Sequence, residues 1–205
     1  RSHAGSPDRI EVDVNFLMRL PIDSPVERTL WQPAEAPPIQ IRSVGDTELW
    51  AGKIAALLDR TAPRDLFDVA QLPERSPTLV GSPQFRGAVI AWCGILPHPL
   101  HSYGRNRLDR VDDAAIEQQL VPMLAGPMRP TREGLVLDAW EVLEPMLTLS
   151  ESEIEYCDRL QRGELRPELV FREDESMAER FRMHPALNWK ALNAREHHAG
   201  RRSGN

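Results

Sequence analysis

The chain has 205 residues, of which 41% are hydrophobic and 27% charged, a composition typical of a globular protein rather than a disordered one. Its formal net charge of −6 argues against a uniformly basic surface for binding nucleic acid. No apolar stretch approaches the roughly 20 residues that a membrane helix needs, and no signal-peptide pattern is seen, so we expect no membrane contact and a cytoplasmic location.

The first predicted element is a strand over residues 9–18, RIEVDVNFLM, in which apolar and polar residues alternate. Side chains of a strand point alternately to its two faces, so Asp13 falls on the polar face with Glu11 and Asn15. Five prolines within residues 21–38 predict an irregular connection. Residues 39–44, IQIRSV, are predicted to form a second short strand.

Two helices are predicted next, over residues 48–59 and 63–72. Gly45 turns the chain, and Asp46 or Thr47 can cap the first of these helices. Pro63 suits the first turn of the second helix because proline has no N–H to leave unpaired there.

Lys53 lies on or beside the apolar stripe of the first helix, one turn from both Leu49 and Leu57. A buried Lys is costly unless it has an anionic partner, and a Lys point charge suits phosphate. The alternative is an ordinary surface Lys whose stem covers apolar surface. That alternative is less attractive here because every other cation before Lys190 is an arginine.

Four charged residues follow within nine positions: Arg60, Arg64, Asp65 and Asp68. Asp65 is able to hold Arg64 or Arg60 in place, and Asp68 faces the same way one turn later. A cation, an Arg-rich turn and a carboxylate pair are what a nucleoside-triphosphate site needs. The structural alternative is a capped helix with a surface salt bridge, which stabilises a protein little.

From about residue 76 the pattern changes to helices separated by proline turns, predicted at 82–94, 112–124, 138–144, 151–162 and 174–196. Ser150 with Glu153 forms a capping-box pattern for the helix at 151. The sequence thus predicts an α+β protein, with a small mixed sheet in residues 1–75 and an all-helical lobe in residues 76–205. Cys93 and Cys157 lack the spacing of zinc ligands. The histidines His98, His101 and His184 lack it too, and we interpret them as packing or surface residues.

Three stretches resemble the AbiEii/AbiGii toxins, members of the polymerase-beta-type nucleotidyltransferase superfamily. They are GSPDRIEVDVNFLMRLPI at 5–22, ELWAGKIAALLDRTAPRDLFDV at 48–69 and HPALNWK at 184–190. The second stretch is similar to the family's lysine helix and the arginine–aspartate turn after it, and it is the most specific of the three. In the third stretch, Trp189 and Lys190 are expected to serve packing and partner contact.

This resemblance implies an incomplete nucleotidyltransferase core followed by a helical lobe, with Mg²⁺ as cofactor and a nucleoside triphosphate, GTP or another, as substrate. It implies that Asp13 is a catalytic carboxylate that binds metal, and that Asp65 and Asp68 also serve catalysis. Lys53, Arg60 and Arg64 would bind the nucleotide. An RNA acceptor and a cognate antitoxin are the implied partners.

The superfamily's first motif, Gly-Ser followed by Asp-x-Asp, has no counterpart in the chain, since neither Gly5-Ser6 nor Gly81-Ser82 leads into Asp-x-Asp on a strand. We therefore expect these 205 residues alone to be inactive. A second hypothesis is an inactive relic or binding module that keeps the fold and docks a partner. A third hypothesis is a helical nucleic-acid-binding protein, which the negative net charge of the chain disfavours.

Overall fold

The computed structural model describes residues 12, 14–32, 36–124 and 126–203 of the chain, with side chains described up to Ala199. The two strands are β1, Val26–Leu30, and β2, Ile39–Ser43. The helices are α1 Asp46–Arg60, α2 Pro63–Ala70, α3 Leu72–Arg75, α4 Pro83–Trp92, α5 Asp113–Ala115, α6 Arg132–Leu147, α7 Glu151–Gln161, α8 Glu175–Arg182 and α9 Pro185–Ser203. The α+β class predicted from the sequence, with a helical C-terminal part, is confirmed.

The sheet of the described residues is an antiparallel hairpin, in which Val26 pairs with Ser43 and Leu30 with Ile39. The strand predicted at 39–44 is therefore confirmed as β2. The irregular connection predicted over 21–38 is wrong where β1 forms, and the prediction of a mixed sheet is wrong for this part of the chain. Prolines flank β1 without interrupting it, since Pro25 precedes the strand and Pro37 follows it.

The strand predicted at 9–18 is wrong over its described part. Phe16–Met18 form a short 3₁₀ turn, and the side chain of Asn15 accepts a hydrogen bond of 2.9 Å from the backbone N–H of Leu17. Such a local side-chain bond offers the backbone an alternative to pairing with a strand. Val14 and Phe16 are 71% and 74% exposed, so the alternation does not bury an apolar face within the described residues.

Helix α1 buries an apolar face because Trp50, Ile54, Leu57 and Leu58 recur at helical spacing. The side-chain cap predicted from Asp46 or Thr47 is wrong, since Gly45 is the N-cap and Asp46 pairs with Arg28 of β1. The helix ends at Thr61, whose backbone has a left-handed φ of 54°. Pro63 then begins α2, as predicted.

For the later helices, proline and capping residues account for most of the differences between the predicted and the observed helix bounds. The capping box of α7 is confirmed. The helix predicted at 112–124 is broken into α5, a π turn over Ile116–Leu120 and a 3₁₀ turn over Val121–Met123. The helix predicted at 138–144 is longer, because Thr131 caps α6. The helix predicted at 174–196 is split before Pro185, since the residue preceding a proline avoids helical geometry.

One hydrophobic core extends from Ile22 to Ala191. The C-terminal helices contribute large buried side chains to it, among them Tyr156, Phe181 and Leu187. The hydroxyl of Tyr156 donates a 2.9 Å hydrogen bond to the carbonyl of Ala91 at the end of α4. A division at residues 75 and 76 stays a prediction from the sequence.

Candidate nucleotide site

The site is built on the turn between α1 and α2. Thr61 ends the first helix in a left-handed conformation, and Pro63 starts the second helix two residues later. The two helices therefore fold back on each other, and two ion pairs join them. Residues 53 and 60 lie two helical turns apart on α1, so their side chains emerge on nearly the same side.

The ion pair nearer the turn joins Arg60 and Asp65 through two hydrogen bonds. The Nε of Arg60 donates to Oδ2 of Asp65 at 2.6 Å, and Nη2 donates to Oδ1 at 2.8 Å. The Asp65 side chain is 6% exposed, whereas the Arg60 side chain is 53% exposed. The hydrogen bonds to Asp65 raise the pKa of Arg60. A buried carboxylate thus fixes the guanidinium of a half-exposed arginine.

The second ion pair joins Lys53 and Asp68. The Nζ of Lys53 lies 2.6 Å from Oδ2 of Asp68, and the two side chains are 31% and 40% exposed. The same Nζ lies 6.0 Å from the ring centre of Trp50, whose indole N–H donates a 2.8 Å hydrogen bond to Ser76. Lys53 therefore has the anionic partner that its half-buried position requires.

The structure separates the predicted site residues into three groups. Lys53, Arg60, Asp65 and Asp68 are brought together at the α1–α2 turn. Arg64 is exposed, and no described residue forms a hydrogen bond or ion pair with it, so Asp65 holds Arg60 and not Arg64. Asp13 lies outside the described residues.

A groove of about 750 Å³ runs along α1 beside this turn. One side of the groove is the face of α1 that carries Glu48, Gly52, Ala55, Ala56, Asp59 and Arg60. Other sides come from Asn15 and Met18, from Val44, and from the segment that contains Trp92 and residues 95–97. Arg60 therefore borders the groove, whereas Lys53, which pairs with Asp68 of α2, is not among the residues that line it.

Glu48 is a buried carboxylate in the groove wall. Its Oε2 accepts a 3.0 Å hydrogen bond from the backbone N–H of Ile22. Burial raises the pKa of Glu48, and this hydrogen bond opposes the rise. The contact fixes the segment after Met18 against α1, so it holds the edge of the groove in place.

Three carboxylates, those of Asp59, Asp65 and Asp68, act electrostatically on Arg60. Arg107 also reaches this region, because its Nη2 donates a hydrogen bond to the backbone carbonyl of Asp59. Asp65 and Asp68 already accept hydrogen bonds from Arg60 and Lys53, and no set of three or more metal-ligating side chains occurs in residues 12, 14–32, 36–124 and 126–203. The described residues therefore do not fit a metal ion on their own, and the metal-binding role of Asp13 stays a prediction.

Sequence reasoning missed most of the groove. The spacing of Glu48, Gly52, Ala55 and Asp59 places them on one face of α1, so this wall was open to prediction. Nothing in the sequence pattern joins α1 to residues 92–97, because that contact is long-range. Lys190 supports this wall from α9, since its Nζ donates a 2.8 Å hydrogen bond to the carbonyl of Leu96.

The histidines behave as packing or surface residues, as expected. His184 is buried, and its ring packs edge-on against Trp92 with centroids 4.9 Å apart. Burial lowers the pKa of His184. His101 lies near the surface, 3.5 Å from a carboxylate oxygen of Asp158.

Comparison with known proteins identifies the family. The sequence profile of the nucleotidyl transferase AbiEii toxin, from type IV toxin–antitoxin systems, matches residues 2–133, more than half of the chain. Neither a curated relative nor a solved structure matches the chain. Among the described residues, no helix has the length and apolar character to cross a membrane. The matched segment contains the whole α1–α2 turn with its two ion pairs, and the chain belongs to the AbiEii nucleotidyl transferase toxin family of type IV toxin–antitoxin systems.

Proposed function

We propose that this toxin moves a nucleoside monophosphate from a nucleoside triphosphate onto an acceptor such as RNA, with loss of pyrophosphate. GTP is one candidate substrate. We place the triphosphate at the end of the groove where Arg60 stands, with Lys53 nearby on α1 but outside the groove lining, and we expect a cognate antitoxin to control the activity. The buried free thiols of Cys93 and Cys157 favour action in a reducing compartment such as the cytoplasm.

The observation that carries this proposal is the position of Arg60. Its guanidinium is held by two hydrogen bonds to buried Asp65, and the residue borders the groove. A cation fixed in advance loses little conformational freedom when a phosphate binds. In this arrangement Asp65 is a positioning residue that acts through Arg60, and Asp68 acts in the same way through Lys53.

The three carboxylates near Arg60 affect which form of the nucleotide binds. A bare triphosphate carries several negative charges and would be repelled by Asp59, Asp65 and Asp68. We therefore expect binding to require a divalent cation such as Mg²⁺, and to be lost when EDTA is added.

Calorimetric titration of the complete gene product with each of the four nucleoside triphosphates in Mg²⁺ tests this proposal. Lys53→Ala should weaken binding by about 1.5–3 kcal/mol, the contribution of a hydrogen bond to a charged group. Arg162→Ala removes an exposed cation at the end of α7 and should leave the affinity unchanged. Unchanged affinity in Lys53→Ala would remove this residue from the site.

The alternative function is that of an inactive module with the same fold that docks a partner. The ion pairs would then only fasten α1 to α2. In that case wild-type protein would bind none of the four nucleotides, in Mg²⁺ or without it.

A further inference from the structure

Gly52 is the one glycine of α1, and it lies in the middle of that helix. Glycine in a helix interior lowers helix stability relative to alanine, so its presence there calls for a physical reason. The usual reason is that a neighbouring group leaves no room for a side chain. Gly87 and Gly94 of this chain are of that kind, because an added Cβ would meet Phe171 at 2.9 Å and Leu160 at 2.4 Å.

Packing does not explain Gly52. Among the residues that the structure describes, none outside α1 has a heavy atom within 4 Å of a Cβ added at this position, and Gly52 faces the groove beside α1. The missing side chain therefore deepens the groove at that point and exposes the helix backbone to whatever enters. Close approach of a ligand to the backbone is a recognised use of glycine.

The surroundings of Gly52 indicate which part of a nucleotide would lie there. Apolar groups from Trp92, Leu96 and Pro97 line the groove, which suits a flat heterocyclic ring. Arg60 lies eight residues further along α1, about 12 Å along the helix axis. That separation is suited to an extended nucleotide whose phosphates meet Arg60 while its base and ribose lie near Gly52.

We propose that Gly52 forms the floor of the nucleoside subsite, where the base and ribose of the nucleoside triphosphate lie against the backbone of α1. This proposal rests on the nucleotide-binding function proposed above and assigns the groove to the nucleoside, separately from the phosphate contacts of Arg60 and Lys53. A side chain at position 52 would then compete with the nucleoside for space, although the free protein has room for it.

Two variants, Gly52→Ala and Gly52→Leu, test the subsite in the complete gene product. Calorimetric titration in Mg²⁺ would use the nucleoside triphosphate that binds most tightly to wild type and, separately, inorganic tripolyphosphate. We expect Gly52→Leu to weaken nucleotide binding at least ~10-fold, about 1.4 kcal/mol, and to leave tripolyphosphate binding unchanged. We expect Gly52→Ala to have a melting temperature at or above that of wild type and an intermediate affinity.

Ala114→Leu adds the same side chain at an exposed position of α5 and should bind both ligands as wild type does. Wild-type nucleotide affinity in Gly52→Leu, or an equal loss of tripolyphosphate affinity, would overturn the subsite while leaving the proposed function intact. A clear fall in the melting temperature of Gly52→Leu would also overturn it, since the position would then not be open. Failure of wild type to bind any nucleoside triphosphate would overturn both proposals.

Discussion

The two carboxylates of α2 are three residues apart in sequence, yet they lie in different environments. Asp65 is almost completely buried and accepts two hydrogen bonds from Arg60, whereas Asp68 is 40% exposed and accepts one from Lys53. Breaking a buried ion pair leaves an uncompensated polar group, while an exposed pair is screened by water. The two positions should therefore respond differently to the same substitution.

We expect Asp65→Asn to lower the free energy of unfolding by about 2 kcal/mol, because it weakens charge-assisted bonds at a buried site. Asp68→Asn should lower it by less than about 1 kcal/mol. Urea denaturation of both variants, analysed with the same slope as wild type, measures the difference. Equal losses would show that burial does not distinguish the two ion pairs.

Among the elements, the α1–α2 turn has the greatest influence on the site. Thr61 has a φ of 54°, a conformation that is costly for a β-branched residue and inexpensive for glycine. Its backbone N–H closes the helix on the carbonyl of Leu57. The strained residue thus sets where α1 ends and how Arg60 meets Asp65.

Thr61→Gly should raise the free energy of unfolding by about 1 kcal/mol, since it relieves the left-handed strain of a β-branched residue. Thr148→Gly is a suitable control, because Thr148 also ends a helix but has a φ of −83° and donates a hydrogen bond to Glu144. Thr148→Gly should lower the free energy of unfolding, because glycine gains conformational freedom in the unfolded chain and relieves no strain at this φ. The melting temperatures of the two variants should move in opposite directions, and a fall in both would refute strain at Thr61.

Some of these elements were predictable from the sequence. The helical spacing of α1, Pro63 at the start of α2 and the Ser150–Glu153 capping box are local patterns, and each predicted its element correctly. The choice of Arg60 over Arg64 as the partner of Asp65 was not predictable, because it depends on the φ of Thr61. Over the described residues 14–18 the alternation predicted a strand that does not form, because an apolar face predicts burial only where a packing partner exists.

Residues beyond the family match complete the hydrophobic core of the protein. Arg86 of α4 connects this helix to the later ones. Its Nε donates a 2.9 Å hydrogen bond to the backbone carbonyl of Pro145, and its Nη2 donates a 2.7 Å hydrogen bond to the backbone carbonyl of Thr148. The same guanidinium forms an ion pair with buried Glu153 at the start of α7. These contacts fasten the C-terminal helices to α4, which packs on α1.

This ion pair makes stability depend on pH. Burial raises the pKa of Glu153, but hydrogen bonds from Arg86 and Ser150 outweigh it and leave the pKa below its usual 4.5. A carboxyl group with a lowered folded-state pKa stabilises the protein above its unfolded-state pKa, and this contribution is lost as the pH falls through the folded-state pKa.

We therefore expect Glu153→Gln to be less stable than wild type at pH 7 and the difference to shrink as the pH falls below about 4.5. Chemical denaturation between pH 7 and pH 3.5 measures this change. Glu151→Gln, at an exposed neighbouring position, should show a small difference at every pH. A wild-type advantage that stays constant down to the lowest pH would contradict the role given to the Arg86–Glu153 pair.

We propose above that the groove beside α1 is a nucleotidyl transfer site and that Arg60 contacts the phosphates there. The most direct test is transfer of label from an α-³²P nucleoside triphosphate to RNA by the complete gene product in Mg²⁺. Arg60→Gln is the informative variant, because glutamine can still donate a hydrogen bond to Asp65 but carries no charge. We predict labelled RNA with wild type and at least ~10-fold slower labelling with Arg60→Gln. Wild-type labelling by Arg60→Gln, or no labelling by wild type with any of the four nucleotides, would contradict the claim.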